Sequence, residues 1–148
     1  MTDHELLGFI DDLSEELKKR RTYAAMSALK TLVGGWTTSH RMHGDDDSLC
    51  KFGCAAPDSM MHYRMCPELE GLLSEVGFEL PSPAWDYRRR ADRTGDFGEM
   101  VSKAIASHGL YHYARFARHL PSHDDLLDYL AEFCLDLRLL WPGVRGRQ

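Results

Sequence analysis

The feature that most constrains this chain is a group of metal-binding residue types between positions 50 and 66. They follow the order C-x3-C-x7-H-x3-C and are Cys50, Cys54, His62 and Cys66. Thiolate and imidazole are the ligands that zinc prefers, and Cys3His is a common tetrahedral set for structural zinc. Because all four ligands would come from the protein, the pattern predicts one structural Zn²⁺ per chain and no open catalytic position.

The residues between the ligands are consistent with such a site. Gly53 permits a tight turn, which lets the first two cysteines face one centre. A helix starting near Asp58 would place the histidine and the last cysteine four residues apart on one face. The alternative is that these residues are separate buried thiols and a surface histidine, since free cysteines are often small core residues. A further alternative is that His40 or His43 replaces one of the ligands.

Helical periodicity dominates the rest of the chain. Residues 5–33 carry apolar residues at helical spacing, with a break expected at Arg21-Thr22, where Thr22 can cap a new helix. Another helix is predicted from Pro67 to a stop at Gly77. No segment alternates apolar and polar residues over five or more positions. The sequence therefore predicts a mainly α fold, with at most a short turn or hairpin around the cysteines.

Two more helices are predicted in the C-terminal half. The first covers residues 96–119, with Asp96 as its N-cap and Gly109 as a weak point. The second covers residues 122–141, where Ser122 and Asp125 form a start that resembles a capping box. Between the helical regions, residues 78–95 are rich in proline and arginine and are expected to form a loop or linker.

Length and composition favour one domain. The chain has 148 residues, of which 43% are hydrophobic and 28% charged, as in ordinary globular proteins. We predict a small helical domain, residues 1–148, with a central Cys3His loop that resembles a zinc knuckle. It would contain N-terminal helices in residues 1–35, a zinc-binding segment in 36–77, and a loop with a C-terminal helical pair in 78–148. No pattern indicates an oligomeric state.

The residues around the cluster resemble a known family. A lead-in at Trp36–Met42 precedes the cysteines, and Ala56–Ser59 and His62–Pro67 follow them. This arrangement is similar to the zinc-binding segment that follows the polymerase domain in non-LTR retrotransposon reverse transcriptases. The resemblance covers residues 22–70 and implies a structural zinc held by the same four ligands, together with nucleic-acid binding.

The resemblance does not extend to a polymerase site. Reverse transcription needs a carboxylate pair that holds two metal ions. Phe9-Ile10-Asp11-Asp12 has the matching residue types, but it lies within a helical pattern and no fingers or palm region precedes it. Nor does the sequence place a nucleophile beside a base. We therefore expect no enzymatic activity from this chain alone.

Two basic runs are candidates for contact with RNA or single-stranded DNA. The better one is formed by Arg88, Arg89, Arg90 and Arg93, close to two aromatic residues. Its alternative interpretation is a solvated loop that pairs with the acidic first helix. The other run, Lys18–Arg21, also suits the end of a helix. The net charge of −5 favours a competing function, a protein-interaction module whose zinc supports a helical scaffold and which binds no nucleic acid.

A second metal site, a signal peptide and a membrane span are not predicted. His108 and His112 have helical i, i+4 spacing, but no glutamate follows His108 as in zinc proteases, so an ordinary histidine pair is favoured over a second metal site. The acidic N-terminus has no apolar signal core, and no apolar run approaches the roughly 20 residues of a membrane span. We expect an intracellular protein of the nucleus or cytoplasm, neither secreted nor in a membrane.

Overall fold

All regular elements that the structure describes are helices. The computed structural model describes residues 2–39, 41–42, 48–78 and 97–139. The predicted mainly α fold is confirmed. The helices are α1 (Asp3–Lys18), α2 (Thr22–Leu32), α3 (Met60–Tyr63), α4 (Pro67–Glu75), α5 (Phe97–Phe116) and α6 (His123–Asp136). One isolated antiparallel bridge joins Leu49 to Pro57 and closes the loop that carries the first two cysteines.

The two N-terminal helices begin in different ways. Thr2 and Glu5 form a capping box at the start of α1. The break predicted at Arg21-Thr22 is confirmed, but Thr22 is the first residue of α2 and does not cap it. Arg21 is the N-cap and makes no side-chain capping bond. Gly34, which has a φ of 68°, follows the end of α2.

Helix α5 lies at the centre of the described fold, because α1, α2, α4 and α6 all pack against it. The helix continues through Gly109, the predicted weak point. The absent side chain at this position makes room for Phe133 of α6. A Cβ atom at position 109 would overlap the phenyl ring. The helix ends at Phe116, three residues before the predicted end.

The last helix begins as predicted. Ser122 and Asp125 form a complete capping box. The helix ends at Asp136, earlier than the predicted residue 141, and Arg138 has a φ of 50°. Asp96, residues 79–95 of the predicted loop and the residues after 139 lie outside the described residues. Within the described residues, no helix combines the length and the apolar character that crossing a membrane requires.

Candidate metal centre

The structure brings the four predicted ligands together. Cys50 and Cys54 lie in the loop closed by the 49–57 bridge. His62 lies in α3, and Cys66 is the N-cap of α4. The four ligand atoms all lie within 4.8 Å of one another. Among the described residues, this is the one cluster of three or more potential metal ligands.

The distances between the sulfur atoms suit a tetrahedral metal site. Cys66 Sγ lies 3.8 Å from Cys50 Sγ and 3.6 Å from Cys54 Sγ. Sulfur atoms about 2.3 Å from a tetrahedral Zn²⁺ are separated by about 3.8 Å. All three cysteines are free thiols, and the sulfur separations are far longer than a disulfide bond. The spacing of the sulfur atoms therefore matches the spacing expected around a four-coordinate metal ion.

The imidazole of His62 provides an independent observation. Its Nε2 atom is buried and has no hydrogen-bond partner among the described residues. A buried polar atom without a partner is costly in a folded protein. A metal ion bound among the four ligands would satisfy this nitrogen, so the residues present fit a metal.

The expectation that His62 and Cys66 share one helix is wrong. Helix α3 ends at Tyr63, and Cys66 belongs to the start of the next helix. Ser59 caps α3 by accepting a hydrogen bond from the backbone of His62. Pro67 occupies the first turn of α4, where a residue without a backbone N–H is tolerated. The chain thus changes direction between the two ligands and still brings both to one centre.

Backbone N–H groups lie against two of the sulfur atoms. Phe52 N donates to Cys50 Sγ at 3.4 Å, and Leu69 N donates to Cys66 Sγ at 3.5 Å. Such bonds stabilise thiolate, the form that binds metal. The hydrogen bond with Cys66 lowers the pKa of Cys50 to about 5. The same contact and burial raise the pKa of Cys66, so the first thiolate of the cluster forms at Cys50.

A buried carboxylate connects the metal segment, which is the predicted zinc-binding segment of residues 36–77, to the helical core. Asp58 is 2% exposed. It accepts hydrogen bonds from the backbone N–H and hydroxyl of Ser39 at 2.9 and 2.7 Å, and from the hydroxyls of Tyr63 and Tyr111 at 2.5 and 3.3 Å. Burial raises the pKa of Asp58, but the hydrogen bonds from Tyr63 and Ser39 outweigh burial and lower it overall. Asp58 therefore stays ionised inside the protein.

Aromatic rings surround this carboxylate. Trp36 is fully buried, stacks on Tyr111 at 4.8 Å and lies 5.4 Å from Tyr63. Its indole N–H donates to Thr31 of α2 at 3.0 Å. Trp36 therefore packs the start of the metal segment against α2 and α5. Sequence reasoning did not identify Asp58 and Tyr111 as partners, because they lie 53 positions apart in the chain.

The other histidine and cysteine candidates lie outside the cluster. His108 is largely buried, and its Nδ1 lies 3.1 Å from the hydroxyl of Ser27. Burial lowers the pKa of His108 to about 4, which leaves the ring neutral. Ser27 is only 2% exposed, so this serine–histidine pair is closed to substrates. The contact between the two side chains joins α2 to α5. His112 is exposed, and Cys134 is an isolated buried thiol in α6.

The remaining predicted sites divide between the described and the undescribed parts of the chain. Asp11 and Asp12 lie in the middle of α1, and both residues are exposed to solvent. Lys18 and Lys19 pair with glutamates of their own helix. Arg88, Arg89, Arg90 and Arg93, together with His40 and His43, lie outside the described residues.

Comparison with known proteins adds no function to this description. No family model, curated protein or solved structure matches the chain. What the site can do chemically therefore follows from its own residues. Three thiols and one imidazole, contributed by a loop, a short helix and a helix N-terminus, lie close enough to bind one metal ion.

Proposed function

We propose that the chain is a helical binding domain whose central loop is held by one structural Zn²⁺. Two observations on His62 carry this proposal: its buried Nε2 has no hydrogen-bond partner among the described residues, and its imidazole offers a ligand atom within 4.8 Å of the sulfur atoms of three free thiols. Thiolate-rich tetrahedral sites select zinc or iron–sulfur clusters, and a single set of three sulfurs and one nitrogen fits zinc. The protein fills all four positions, so the role of the metal is structural.

Metal analysis tests this proposal directly. The full chain, purified without added zinc, should contain about one zinc atom per molecule. Cys54→Ser should lose that zinc and unfold the metal segment, because binding energy at such sites is also folding energy. Cys134→Ser is the matched control, since it removes a buried thiol outside the cluster. A wild-type protein that has no metal and three freely reactive thiols would refute the proposal.

We further propose that the domain binds single-stranded nucleic acid through a basic surface near the metal segment. The surface is built around residues 34–37, which lead from α2 to the metal segment. Arg41 donates to the carbonyl of Gly35 at 2.8 Å, and Arg115 donates to the hydroxyl of Thr37. Arg64 belongs to the same basic surface, because its guanidinium lies beside Gly34. Lys30 adjoins it, because its backbone carbonyl accepts a hydrogen bond from the N–H of Gly35.

An exposed aromatic ring lies at the edge of the basic surface. Phe116 is 67% exposed, and the guanidinium of Arg115 lies 5.4 Å from the centre of its ring. The exposed imidazole of His112 lies 4.7 Å from the same ring. Aromatic rings beside cations are the means by which proteins bind single strands without base specificity. The resemblance of residues 22–70 to a reverse transcriptase segment agrees with such a partner.

Salt-dependent binding of a single-stranded oligonucleotide tests the basic surface. For single strands, each phosphate contact contributes about −0.7 to the slope of log affinity against log salt. The double variant Arg41→Ala/Arg115→Ala should therefore flatten the slope by about 1.4. Lys18→Ala/Lys19→Ala is the matched control, because it makes the same charge change on α1, where glutamates neutralise both lysines. Equal weakening by both variants would refute the proposed surface.

A protein-interaction module is the competing function. Two observations favour it: the net charge of −5, and the exposure of Met61 and Met65, which are 85% and 77% exposed on the metal segment. Methionines are common at adaptable protein-binding surfaces. If no oligonucleotide binds even at low salt while the zinc is present, the protein-interaction function replaces nucleic-acid binding and the structural zinc remains.

A further inference from the structure

We propose that Cys54 and Cys66 form an oxidation site, at which a hydroperoxide converts the two thiolates into a disulfide and releases the metal. This inference rests on the proposed zinc function and adds regulation to the same cluster. The two sulfur atoms lie 3.6 Å apart, closer than the 3.8 Å that separates Cys66 from Cys50. Forming a bond of about 2.05 Å requires them to approach by about 1.6 Å.

Exposure identifies Cys54 as the sulfur that a peroxide reaches first. Cys50 and Cys66 are 4% and 2% exposed, whereas Cys54 is partly exposed. Its neighbours Gly53 and Ala55 are both exposed. Apart from Gly53 and its two chain neighbours, no described residue has an atom within 4 Å of the position where Gly53 would carry a Cβ, so the chain beside Cys54 is open to solvent.

The reaction balances in two steps. The thiolate of Cys54 attacks the terminal oxygen of the hydroperoxide, the O–O bond breaks, an alkoxide (hydroxide when the oxidant is hydrogen peroxide) leaves, and Cys54 becomes a sulfenic acid. The thiolate of Cys66 then attacks that sulfur, the S–O bond breaks and hydroxide leaves. Two electrons pass from the two sulfurs to the peroxide, and two protons from the buffer convert the leaving alkoxide and hydroxide into an alcohol and water.

Loss of these two sulfurs removes half of the ligand set. Cys50 and His62 alone give two ligands, whereas structural zinc sites use four. Oxidation also weakens the N-cap of α4. A disulfide sulfur has no negative charge, so Cys66 accepts the hydrogen bond from Leu69 less strongly than a thiolate does. Oxidation should therefore release the metal and loosen the connection between α3 and α4.

Cys134 provides an internal control for this chemistry. It is the fourth cysteine of the chain, 1% exposed, and it lies in α6 outside the cluster. Burial raises its pKa, which keeps it in the unreactive thiol form. Peroxide should therefore leave Cys134 unmodified under conditions that oxidise the cluster.

The test uses the full zinc-loaded chain and hydrogen peroxide as the probe. A chromogenic chelator follows zinc release, and peptide mass mapping identifies the disulfide. We expect release of the bound zinc together with a Cys54–Cys66 disulfide, and recovery after thiol reduction with added zinc. Cys54→His keeps four zinc ligands but cannot form this disulfide, so it should release zinc at least tenfold more slowly. Cys134→Ala should release zinc at the wild-type rate.

Three results would overturn the oxidation site: a disulfide that involves Cys50, oxidised cysteines without any disulfide, or equally fast zinc release from Cys54→His. Disulfide mapping is done on the wild-type chain, so it decides the question even if the variant does not fold. Zinc content is measured before peroxide is added. A reduced protein without zinc would refute the proposed zinc function, and the disulfide formed by the metal-free chain would still decide whether Cys54 and Cys66 pair.

Discussion

Replacing Asp58 with asparagine should strongly destabilise the protein without changing its shape. The carboxylate is 2% exposed and accepts hydrogen bonds on both oxygens, from Ser39 on Oδ2 and from Tyr63 on Oδ1. Asparagine is nearly isosteric, but its amide nitrogen cannot accept a hydrogen bond. An amide NH2 turned toward Ser39 meets a backbone N–H that cannot accept. An NH2 turned toward Tyr63 removes the acceptor for that hydroxyl, which already accepts from Lys51. Both orientations lose the negative charge.

The magnitude follows from these contacts. Hydrogen bonds to a charged group contribute about 1.5–3 kcal/mol each, and a buried group left without a partner costs about 1–3 kcal/mol. The loss for Asp58→Asn should therefore be about 3–5 kcal/mol. At this chain length, 1 kcal/mol changes the melting temperature by about 3 °C, so we expect a decrease of about 10 °C.

The assay is thermal unfolding followed by circular dichroism at saturating zinc, for the wild type, Asp58→Asn and the control Asp12→Asn. Asp12 is exposed in α1, so its replacement should change stability by less than about 0.5 kcal/mol. Because the pKa of Asp58 is lowered in the folded state, its contribution is present at neutral pH and is lost as the pH falls through the folded pKa. A variant that melts within about 2 °C of wild type, or a difference that does not shrink in acid, would refute this reasoning.

Three further predictions concern the packing around α5. Glu70→Ala should cost about 3 kcal/mol in chemical unfolding, because it removes the carboxylate paired with Lys103, which is 1% exposed; adding Lys103→Met should recover most of this loss. Gly109→Ala should lower stability by about 1 kcal/mol despite the higher helix propensity of alanine, because the methyl group overlaps Phe133; adding Phe133→Leu should reverse the effect. His108 has a folded pKa of about 4 and an ordinary unfolded value near 6.5, so the unfolded state binds more protons between these pH values. The stability of wild type relative to His108→Gln should therefore fall by up to about 3 kcal/mol as the pH decreases from 6.5 to 4; a constant difference across that range would contradict the buried neutral ring.

The sequence predicted well those features that depend on residues close together in the chain. The break at Arg21-Thr22 and the capping box of Ser122 and Asp125 arise within a few residues. The four metal-binding residues were also predicted, because their chemistry and order limit the fold that can bring them together. The prediction of one helix for His62 and Cys66 was wrong, since spacing alone did not take into account that Pro67 begins a new helix.

Features that depend on distant residues were not predicted. The close approach at Gly109 depends on Phe133 in another helix, so the glycine alone was interpreted as a weak point. The role of Asp58 depends on Ser39 and Tyr111, which lie 19 and 53 positions away along the chain. Hydrophobic periodicity carries no information on such pairings, because it reports which face of a helix is buried and not which residue it meets.

A buried carboxylate also couples the metal ligands to the helical core through a chain of hydrogen bonds. The hydroxyl of Tyr63 accepts a hydrogen bond from the backbone N–H of Lys51 and donates to Asp58, which also receives the hydroxyl of Tyr111. Lys51 follows the first cysteine ligand, Tyr63 follows the histidine ligand, and Tyr111 belongs to α5. A displacement of either ligand therefore disturbs hydrogen bonds in a buried network that is costly to leave unsatisfied. Metal loss should consequently destabilise α5 packing as well as the loop, and unfolding of the two regions should occur as one transition.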